Sequence, residues 1–213
     1  GWSYGTGTRV LVLVDDMPLI SGDAGQVQWN LIATENINQV EIIKGASSAL
    51  YGSSALNGIV NIRTSYPKTS EIDKNPGIGF TKVNIHAGLI DFPKRTALNW
   101  NGDKRRSFKG IEFMQSIKLE QLDISLGGNV FEDDGYRKGE ENKRKRFNIN
   151  SLYKSKQIKG LSYGVNANFL FQETASVIIW DGLDRAYIAL NNEVTTTSGD
   201  KYNIDPYITY IKG

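Results

Sequence analysis

The sequence of 213 residues contains no cysteine, a single histidine and no long apolar run. The absence of cysteine excludes disulfides, although it does not decide the compartment. Because His86 is the only histidine, a histidine-based catalytic triad and a multi-histidine metal site are both excluded. The longest strongly apolar run, Val10 to Val14, is about five residues long, which is far too short for a membrane-spanning helix.

Charge and the first residues exclude further classes. The formal net charge of +2 is too small to indicate nucleic-acid binding on its own. Gly1-Trp2-Ser3-Tyr4 lacks the basic segment followed by an apolar segment that marks a secretory signal peptide. A chain of this length with 39% hydrophobic residues is nevertheless able to bury a core as one or two domains.

Residues 39 to 64 are predicted to form a strand, a turn, a small-residue segment and a second strand. Val40, Ile42 and Ile43 have strand propensity, and Gly45 ends that run. Gly52 and Gly58 mark tight turns or close backbone approaches. The second strand then runs from Ile59 to Thr64.

After residue 78 the sequence changes to period-two alternation over segments of about ten residues, the length of a tilted membrane strand. Six strands are predicted, beginning near Gly79, Gly110, Gln121, Arg146, Leu161 and Tyr202. In the clearest of them, Tyr163, Val165 and Phe169 alternate with polar residues. Pro206 predicts that the sixth strand bends or lies near a rim.

The connections between these strands alternate in length. They are long at 91–107, 132–143 and 175–201, and short at 120–121 and 155–160. Apolar alternation by itself favours a soluble β-sandwich or meander over a membrane barrel. The alternating loop lengths, with Tyr153 and Phe171 near strand ends, favour a transmembrane barrel whose long connections face outward.

Two other segments have simpler signals. Leu31 to Asn38 has weak helical spacing and predicts a short helix or turn. Ser65 to Gly77 holds two prolines and few apolar residues, so we predict a linker and a domain boundary there.

Three segments and an upstream turn of the N-terminal part form a recognisable set: Val40-Glu41-Ile42-Ile43-Lys44-Gly45, Ser48-Ala49-Leu50-Tyr51-Gly52, Asn57-Gly58-Ile59-Val60-Asn61-Ile62-Arg63-Thr64, and Asp15-Asp16-Met17-Pro18-Leu19. In order and spacing these segments resemble the plug domain of TonB-dependent outer-membrane receptors. Asp16 stands where this family usually has glycine, and aspartate tolerates a left-handed turn better than most residues. Lys44 stands where arginine is commoner, which replaces a forked donor by a point charge.

This resemblance implies a mostly β protein, with part of a plug domain followed by the first strands of an antiparallel transmembrane barrel. We expect the end of the plug in residues 1–66, a linker in 67–77, and about six barrel strands in 78–213. Barrels of this type have about 22 strands around the plug, so the chain is expected to be a fragment whose export signal lies upstream.

The function implied by the resemblance is energised uptake, across the bacterial outer membrane, of a scarce large solute such as a ferric siderophore, haem, cobalamin or a glycan. The implied partners are the TonB energy-coupling complex, the solute, outer-membrane lipid and lipopolysaccharide, and, in the glycan-uptake branch of the family, a surface lipoprotein. The complex is reached through a motif that is not in this sequence. No catalytic residue, cofactor, metal site or nucleic-acid partner is implied. The alternative is a soluble β-rich module that binds carbohydrate or protein; its apolar face would be buried against a second sheet rather than exposed to lipid. An enzyme ranks third.

Candidate binding residues follow from the same resemblance. The plug loop after the Asp15-Asp16 turn is expected to face the solute, with the candidates Ser21, Asp23, Gln26, Gln28 and Trp29. Weaker candidates in the longest outer connection are Trp180, Asp181 and Asp184. The plug-motif residues are Glu41, Lys44, Gly45, Tyr51, Gly52, Asn57, Gly58, Asn61 and Arg63. Of these, Glu41, Lys44 and Arg63 are expected to form ion pairs with the barrel wall.

Other polar clusters have plainer explanations. Asp15 and Asp16 belong to a turn rather than to a carboxylate pair, and the segment from Gly45 to Gly52 lacks the Lys-Ser/Thr of a phosphate loop. The basic cluster Arg137 to Arg146 is interrupted by acidic residues, so a solvated loop is favoured over nucleic-acid binding. In a barrel this loop would lie at the outer leaflet, where contact with lipopolysaccharide phosphate is a further hypothesis. His86 is expected to face the lumen.

Overall fold

The computed structural model describes residues 10–20, 27–45, 51, 55–64 and 79–212, and these form two β-sheets. We call the four-stranded sheet at the start of the chain the N-terminal sheet, with the strand order β2-β1-β4-β3. Its strands are β1 (Val10–Val14), β2 (Met17–Pro18), β3 (Ile37–Lys44) and β4 (Gly58–Thr64). The predicted linker 67–77 and the motif residue Gly52 lie outside the described residues, so the domain boundary stays a prediction.

Strand β1 is the centre of the N-terminal sheet, because its alternate residues are buried on opposite faces. Leu11 and Leu13 pack with Ala55 and Ile59 on one side. On the other side, Val12 belongs to a second apolar cluster. Strand β1 pairs in parallel with β4, and a strand that is buried on both faces has the continuous apolar sequence seen in Val10–Val14.

A two-residue turn, Asp15-Asp16, joins β1 to β2. Both residues have positive φ, 48° and 70°. Such φ values are required at both central positions of the tight hairpin turn that matches strand twist. Aspartate is therefore accommodated at position 16, as the sequence predicts.

The second sheet, which we call the C-terminal sheet, is a meander of six antiparallel strands in the order β10-β9-β8-β7-β6-β5. Its strands are β5 (Phe80–Ile90), β6 (Arg106–Lys118), β7 (Leu122–Asp133), β8 (Asn142–Lys154), β9 (Leu161–Ser176) and β10 (Thr195–Tyr210). All six strands predicted from alternation are present, and long connections alternate with short ones along the meander.

Strand β10 differs from its prediction in two respects. It begins at Thr195 rather than Tyr202, because the ladder with β9 continues through polar residues that have no apolar alternation. Pro206 lies inside the strand, opposite Val165 and four residues before its end at Tyr210, and the ladder with β9 continues past it without a shift in register. Among the described strands β10 pairs only with β9, and an edge strand tolerates a residue without an N–H group.

The two faces of the C-terminal sheet have opposite character. Its outward face exposes large apolar side chains such as Ile85, Leu89 and Ile208, and no second sheet of the described chain covers them. Its inward face is the one that contacts the N-terminal sheet. The buried polar side chains on this face are Asp123, Ser125, Asn129, Arg146, Asn148, Asn150 and Asn166. This arrangement is typical of a membrane barrel wall rather than of a sandwich, which would bury the apolar face.

Helical structure in residues 10–45 and 79–212, as far as the structure describes them, is limited to short 3₁₀ turns. The short helix or turn predicted for Leu31 to Asn38 is two such turns, Trp29–Leu31 and Thr34–Asn36, followed directly by β3. None of the helical segments that the structure describes has the length and apolarity needed to cross a membrane.

Candidate functional site

The two sheets meet along one contact surface, which we call the seam. It consists of residues 27–36, which connect β2 to β3, and the inward-facing side chains of β7 to β10. The two 3₁₀ turns in residues 27–36 keep this segment compact. Four polar side chains of the segment have hydrogen-bond partners on the strands of the C-terminal sheet: Gln28, Asn30, Glu35 and Asn36.

The centre of the seam is an ion pair between Glu35 and Arg146. Each side chain is only 2% exposed. The Arg146 guanidinium also donates to the backbone carbonyls of Asn30, at 3.2 Å, and Ile32. With its amide nitrogen turned toward Glu35, Asn148 donates to Glu35 Oε1 at 3.1 Å and to the Gly127 carbonyl at 3.2 Å. A buried pair is tolerated only when its remaining polar atoms are satisfied in this way, and here the Nε of Arg146 alone lacks an acceptor.

Gly127 makes room for this arrangement. A Cβ at position 127 would lie 2.5 Å from the Asn148 amide, so only glycine lets Asn148 cross the neighbouring strand to reach Glu35. Gly127 therefore supports the ion pair by leaving space for the Asn148 side chain.

On the side of the ion pair toward the C-terminal end of β8, asparagine side chains join the two sheets. Asn36 donates to Asn150 Oδ1 at 2.7 Å. Asn150 in turn donates to Asn166 Oδ1 at 3.0 Å and to the Thr64 hydroxyl at 3.2 Å. Since Thr64 ends β4, this chain of hydrogen bonds fixes the N-terminal sheet to β8 and β9 at a second place.

On the side of the ion pair toward the N-terminal end of β8, the seam is cationic and polar. Asn30 donates to Gln172 Oε1 at 2.9 Å and accepts from Arg144 at 3.2 Å. Lys201 donates to Gln28 Oε1. Arg144 also lies 5.2 Å over the ring of Phe131, so the charge is held against an aromatic face rather than against a carboxylate.

A single leucine from the wall enters the core of the N-terminal sheet. Leu170 is completely buried and packs in the same cluster as Val12, Leu31 and Ile62. Sequence analysis missed this residue. The signal was present, because Leu170 lies on the face of β9 that otherwise carries Asn168 and Gln172, where an apolar residue requires an apolar partner.

The plug-motif residues mainly organise the N-terminal sheet itself. Arg63 pairs with Asp16 at 2.5 Å and with Glu41 at 3.4 Å, and the hydrogen bond to Asp16 raises the pKa of Arg63. Among the described residues, Glu41 and Arg63 pair within the N-terminal sheet and not with strands β5 to β10, so their ion pairs with the barrel wall stay a prediction. Asn61 also donates to Asp16, at 2.9 Å, and to Glu41.

The remaining motif positions are structural or exposed. Gly58 has a φ of 137°, and a Cβ there would lie 2.5 Å from the Ile43 carbonyl oxygen. Gly45 also has positive φ but faces open space. Lys44, Asn57 and Tyr51 are exposed, and no described residue forms a salt bridge with Lys44.

The predicted solute-facing residues separate into three groups. Ser21, Asp23 and Gln26 lie outside the described residues. Gln28 is turned to the wall through Lys201. Trp29, in contrast, is 60% exposed, although it begins the 3₁₀ turn that leads into the seam.

The outer-loop candidates are tied to other loop residues. Asp184 pairs with Arg95 at 2.7 Å and so joins the third long connection to the first. Asp181 pairs with Arg185 at 2.7 Å, and Trp180 is exposed beside a bridge to Ala189. In the described part of the chain, His, Asp and Glu residues form no cluster suited to a metal ion.

The basic cluster Arg137 to Arg146 does not form one patch. Arg144 and Arg146 point into the seam, and Arg137 pairs with Glu140 at 3.7 Å. Three lysines of the cluster, Lys138, Lys143 and Lys145, are exposed, and for them contact with lipopolysaccharide stays a prediction.

The chain is similar to several known proteins. Residues 3–59 match the family model of the TonB-dependent receptor plug domain. The chain is 33% identical over 135 residues to the ferric enterobactin receptor PirA of Pseudomonas aeruginosa, covering 57% of this chain and 18% of that receptor. It is 34% identical over 77 residues to the vitamin B12 transporter BtuB of Vibrio vulnificus strain YJ016, covering 36% of this chain and 12% of BtuB.

Solved structures share its fold. The siderophore receptor PirA of Acinetobacter baumannii superposes with a TM-score of 0.56 at 19% identity, over 82% of this chain and 25% of that one. The RagAB peptide importer superposes with a TM-score of 0.63 at 15% identity, over 86% of this chain and 26% of that one. The chain thus spans about a tenth to a fifth of the length of the curated relatives it matches.

Proposed function

We propose that this chain belongs to a TonB-dependent receptor, to which its residues 3–59 are similar, and that it is the part where the plug meets the barrel wall. We propose that the receptor imports a scarce large solute. One observation carries the proposal. A plug-type sequence, residues 3–59, continues into a sheet whose inward face binds the plug through polar side chains and whose outward face exposes apolar ones. We place the receptor in the bacterial outer membrane, energised by the TonB complex through a segment outside the described residues.

The seam has the physical character that such a transporter needs. A hydrogen bond between protein groups contributes only about 0.5–1.5 kcal/mol net, since water replaces it when it breaks. The plug can therefore leave the wall at modest cost wherever hydrogen bonds such as Asn36–Asn150 hold it. Among the contacts of the described residues, the Glu35–Arg146 pair and Leu170 resist separation most strongly, because both are desolvated.

We further propose that the solute binds at the end of the seam that lies toward the long connections of the C-terminal sheet. Trp29, together with Ser21, Asp23 and Gln26, would contact it from the plug, while Gln28 positions the loop through Lys201. Trp180, Asp181 and Asp184 would contribute from the outer loops. We retain residues 1–66, 67–77 and 78–213 as plug, linker and wall of a barrel of about 22 strands. The protein is proposed to act as a transporter, without covalent chemistry and without a cofactor.

Uptake by cells tests the proposal directly. The full-length gene is expressed in a Gram-negative host that lacks its own receptors, with and without TonB, and cells receive labelled ferric enterobactin or cyanocobalamin. We expect uptake of at least one solute only when TonB is present. Uptake that is equal in both hosts, or absent for every siderophore, haem, corrinoid and glycan supplied, contradicts the proposal.

A tether across the seam tests whether the plug must move. Because the chain has no cysteine, Asn36→Cys with Asn150→Cys introduces the only pair of thiols in this part of the receptor. A short bifunctional thiol reagent should join them and stop uptake while surface binding of the solute persists. The matched control is each single variant treated with the same reagent, which should transport normally. Continued transport by the tethered double variant would exclude plug movement at this place.

A further inference from the structure

The three long connections of the C-terminal sheet contact one another. We call residues 91–105 the first connection, residues 134–141 the second and residues 177–194 the third. All three lie at the same end of the sheet, because neighbouring strands of the meander run in opposite directions. Connections on a protein surface are usually its most mobile parts. Here each connection is bound to the other two.

The first connection is bound to the second through an indole and a guanidinium. Trp100 Nε1 donates to the Tyr136 carbonyl at 3.1 Å. Arg106, which begins β6, donates to the carbonyls of Asp134 and Gly135, the latter at 3.3 Å. The same guanidinium lies 5.3 Å from the centre of the Trp100 ring. These two side chains therefore fix the backbone of the second connection.

The second connection is bound to the third mainly through Lys138. Its backbone N–H donates to the Tyr187 carbonyl at 2.8 Å, and its Nζ donates to Asn192 Oδ1 at 3.1 Å. The rings of Tyr136 and Tyr187 meet edge to face, with their centres 5.2 Å apart. Backbone, charged and aromatic groups thus hold the same two connections together.

An exposed ion pair closes the circuit from the third connection to the first. Arg95 lies 2.7 Å from Asp184, and both side chains are more than half exposed. Such a pair contributes little by itself. Within a closed circuit it has a larger role, because it limits the separation of two connections that are also held by the second.

The burial of the second connection shows how closely it is enclosed. Arg137 and Glu140 are 25% and 22% exposed, although both are charged and lie in a surface connection. Arg137 also donates to the Val177 carbonyl of the third connection at 3.2 Å. Ordering a connection costs conformational entropy for every residue in it, and contacts that are shared among three connections offset this cost jointly. Loss of one contact should therefore loosen all three connections, and not only the two that it joins.

We propose that the three connections form one cooperative unit, a fixed rim at the end of the C-terminal sheet, rather than three flaps that move separately. Any closure of the receptor over a solute would then come from other parts of the protein. The inference goes beyond the proposed function, because it concerns the order of the connections whether or not a solute is bound.

Hydrogen exchange of the full-length receptor in detergent, measured by mass spectrometry without any solute, tests this cooperativity. Arg95→Ala breaks the contact between the first and third connections, so the second connection, which loses no contact of its own, is the reporter. We expect its exchange to become about threefold faster, as the loss of one exposed ion pair implies. Trp100→Phe keeps a ring but removes the donor to the second connection, and should accelerate exchange in the third connection by a similar factor.

Lys156→Ala is the matched control. It breaks an ion pair of similar length and exposure, with Glu120 at 2.8 Å, between the two short connections at the opposite end of the sheet. Exchange in the three long connections should stay as in the parent receptor. The fixed rim is overturned if Arg95→Ala leaves the second connection unchanged, or if Lys156→Ala accelerates its exchange as much as Arg95→Ala does.

A tether between two connections tests whether the rim has to open. Lys138→Cys with Asn192→Cys places thiols on the second and third connections, and a short bifunctional reagent joins them, since this part of the receptor has no other cysteine. TonB-dependent uptake of ferric enterobactin or cyanocobalamin should continue in the tethered receptor. Uptake that persists in each reagent-treated single variant but stops in the tethered one would overturn the fixed rim. If the parent receptor imports none of the solutes supplied, the transport function fails, whereas hydrogen exchange still decides on the rim.

Discussion

The interior of the N-terminal sheet and the seam beside it are built from different interactions. Inside the sheet, Leu11, Leu13, Ala55 and Ile59 form an apolar cluster in which each side chain is almost completely buried. Across the seam, the contacts are hydrogen bonds between amides, a buried ion pair and one leucine. The N-terminal sheet therefore keeps its own shape by excluding water, while its attachment to the wall uses groups that water can also satisfy.

This difference shows how one chain provides both a stable unit and a separable contact. Apolar burial at about 25 cal/mol per Å² is lost entirely when surfaces part. A hydrogen-bonded surface loses much less, because the parted groups bind water. Three substitutions sharpen or break this comparison.

The largest effect is expected from Glu35→Ala, which leaves the Arg146 guanidinium buried without its carboxylate. Breaking a buried pair by removing one partner costs about 3–5 kcal/mol. Denaturant unfolding of the receptor, followed by limited proteolysis of the N-terminal part, measures the loss. Glu41→Ala is the control, because its pair with Arg63 is half-exposed and should cost under about 1 kcal/mol.

A second variant distinguishes the loss of the ion pair from the cost of leaving the Arg146 charge buried and unpaired. Glu35→Ala combined with Arg146→Met removes both charges and should recover a large part of the loss. If the double variant is no more stable than Glu35→Ala, the cost comes from packing, and the seam is less polar than we infer.

Leu170→Ala should have the next largest effect. It removes the one apolar side chain that the wall inserts into the N-terminal sheet, at a cost of about 3 kcal/mol from lost burial and the cavity that remains. The unfolding midpoint reports the change. Leu126→Ala, on the outward face of β7, is the matched control and should have little effect, since that side chain faces lipid or detergent. Equal losses in both variants would show that Leu170 is an ordinary wall residue.

Gly58→Ala should have the smallest effect of the three and concerns the N-terminal sheet alone. The new Cβ would meet the Ile43 carbonyl in a backbone conformation that alanine rarely adopts, which costs about 2 kcal/mol. Gly45→Ala shares the positive φ but meets open space, so it should cost about 1 kcal/mol. The seam contacts should survive in both variants, as proteolysis would show, and equal losses would mean that the close approach to Ile43 has no effect.

Alternation predicted the C-terminal sheet well, because each strand has one apolar face and one polar face. The six strands, the long and short connections and the inward position of Asn148 and Asn150 all follow from it. The first residue of β10 did not follow, because its polar beginning is held by ladder hydrogen bonds that leave no trace in hydropathy.

The partners across the seam were not predictable in the same way. Alternation assigns Arg146 to a face but does not say that Glu35, 111 residues earlier, lies opposite. Arg63 was assigned to the wall, whereas the tight turn at Asp15-Asp16 brings a carboxylate to it from within its own sheet. Such pairs depend on how two sheets dock or on where a turn folds back. Neither can be inferred from the alternation of apolar and polar residues along a strand.

The pairing of β5 to β10 proceeds one residue opposite one residue, without a shift in register, over residues 80–210. The face of the sheet on which a side chain lies therefore depends only on whether its position in the strand is odd or even. A single-residue insertion in β8 before Arg146 would reverse this assignment for the residues that follow it. It would turn the guanidinium toward the outward face and Phe147 toward Glu35, so this sheet tolerates substitutions far more readily than changes of length.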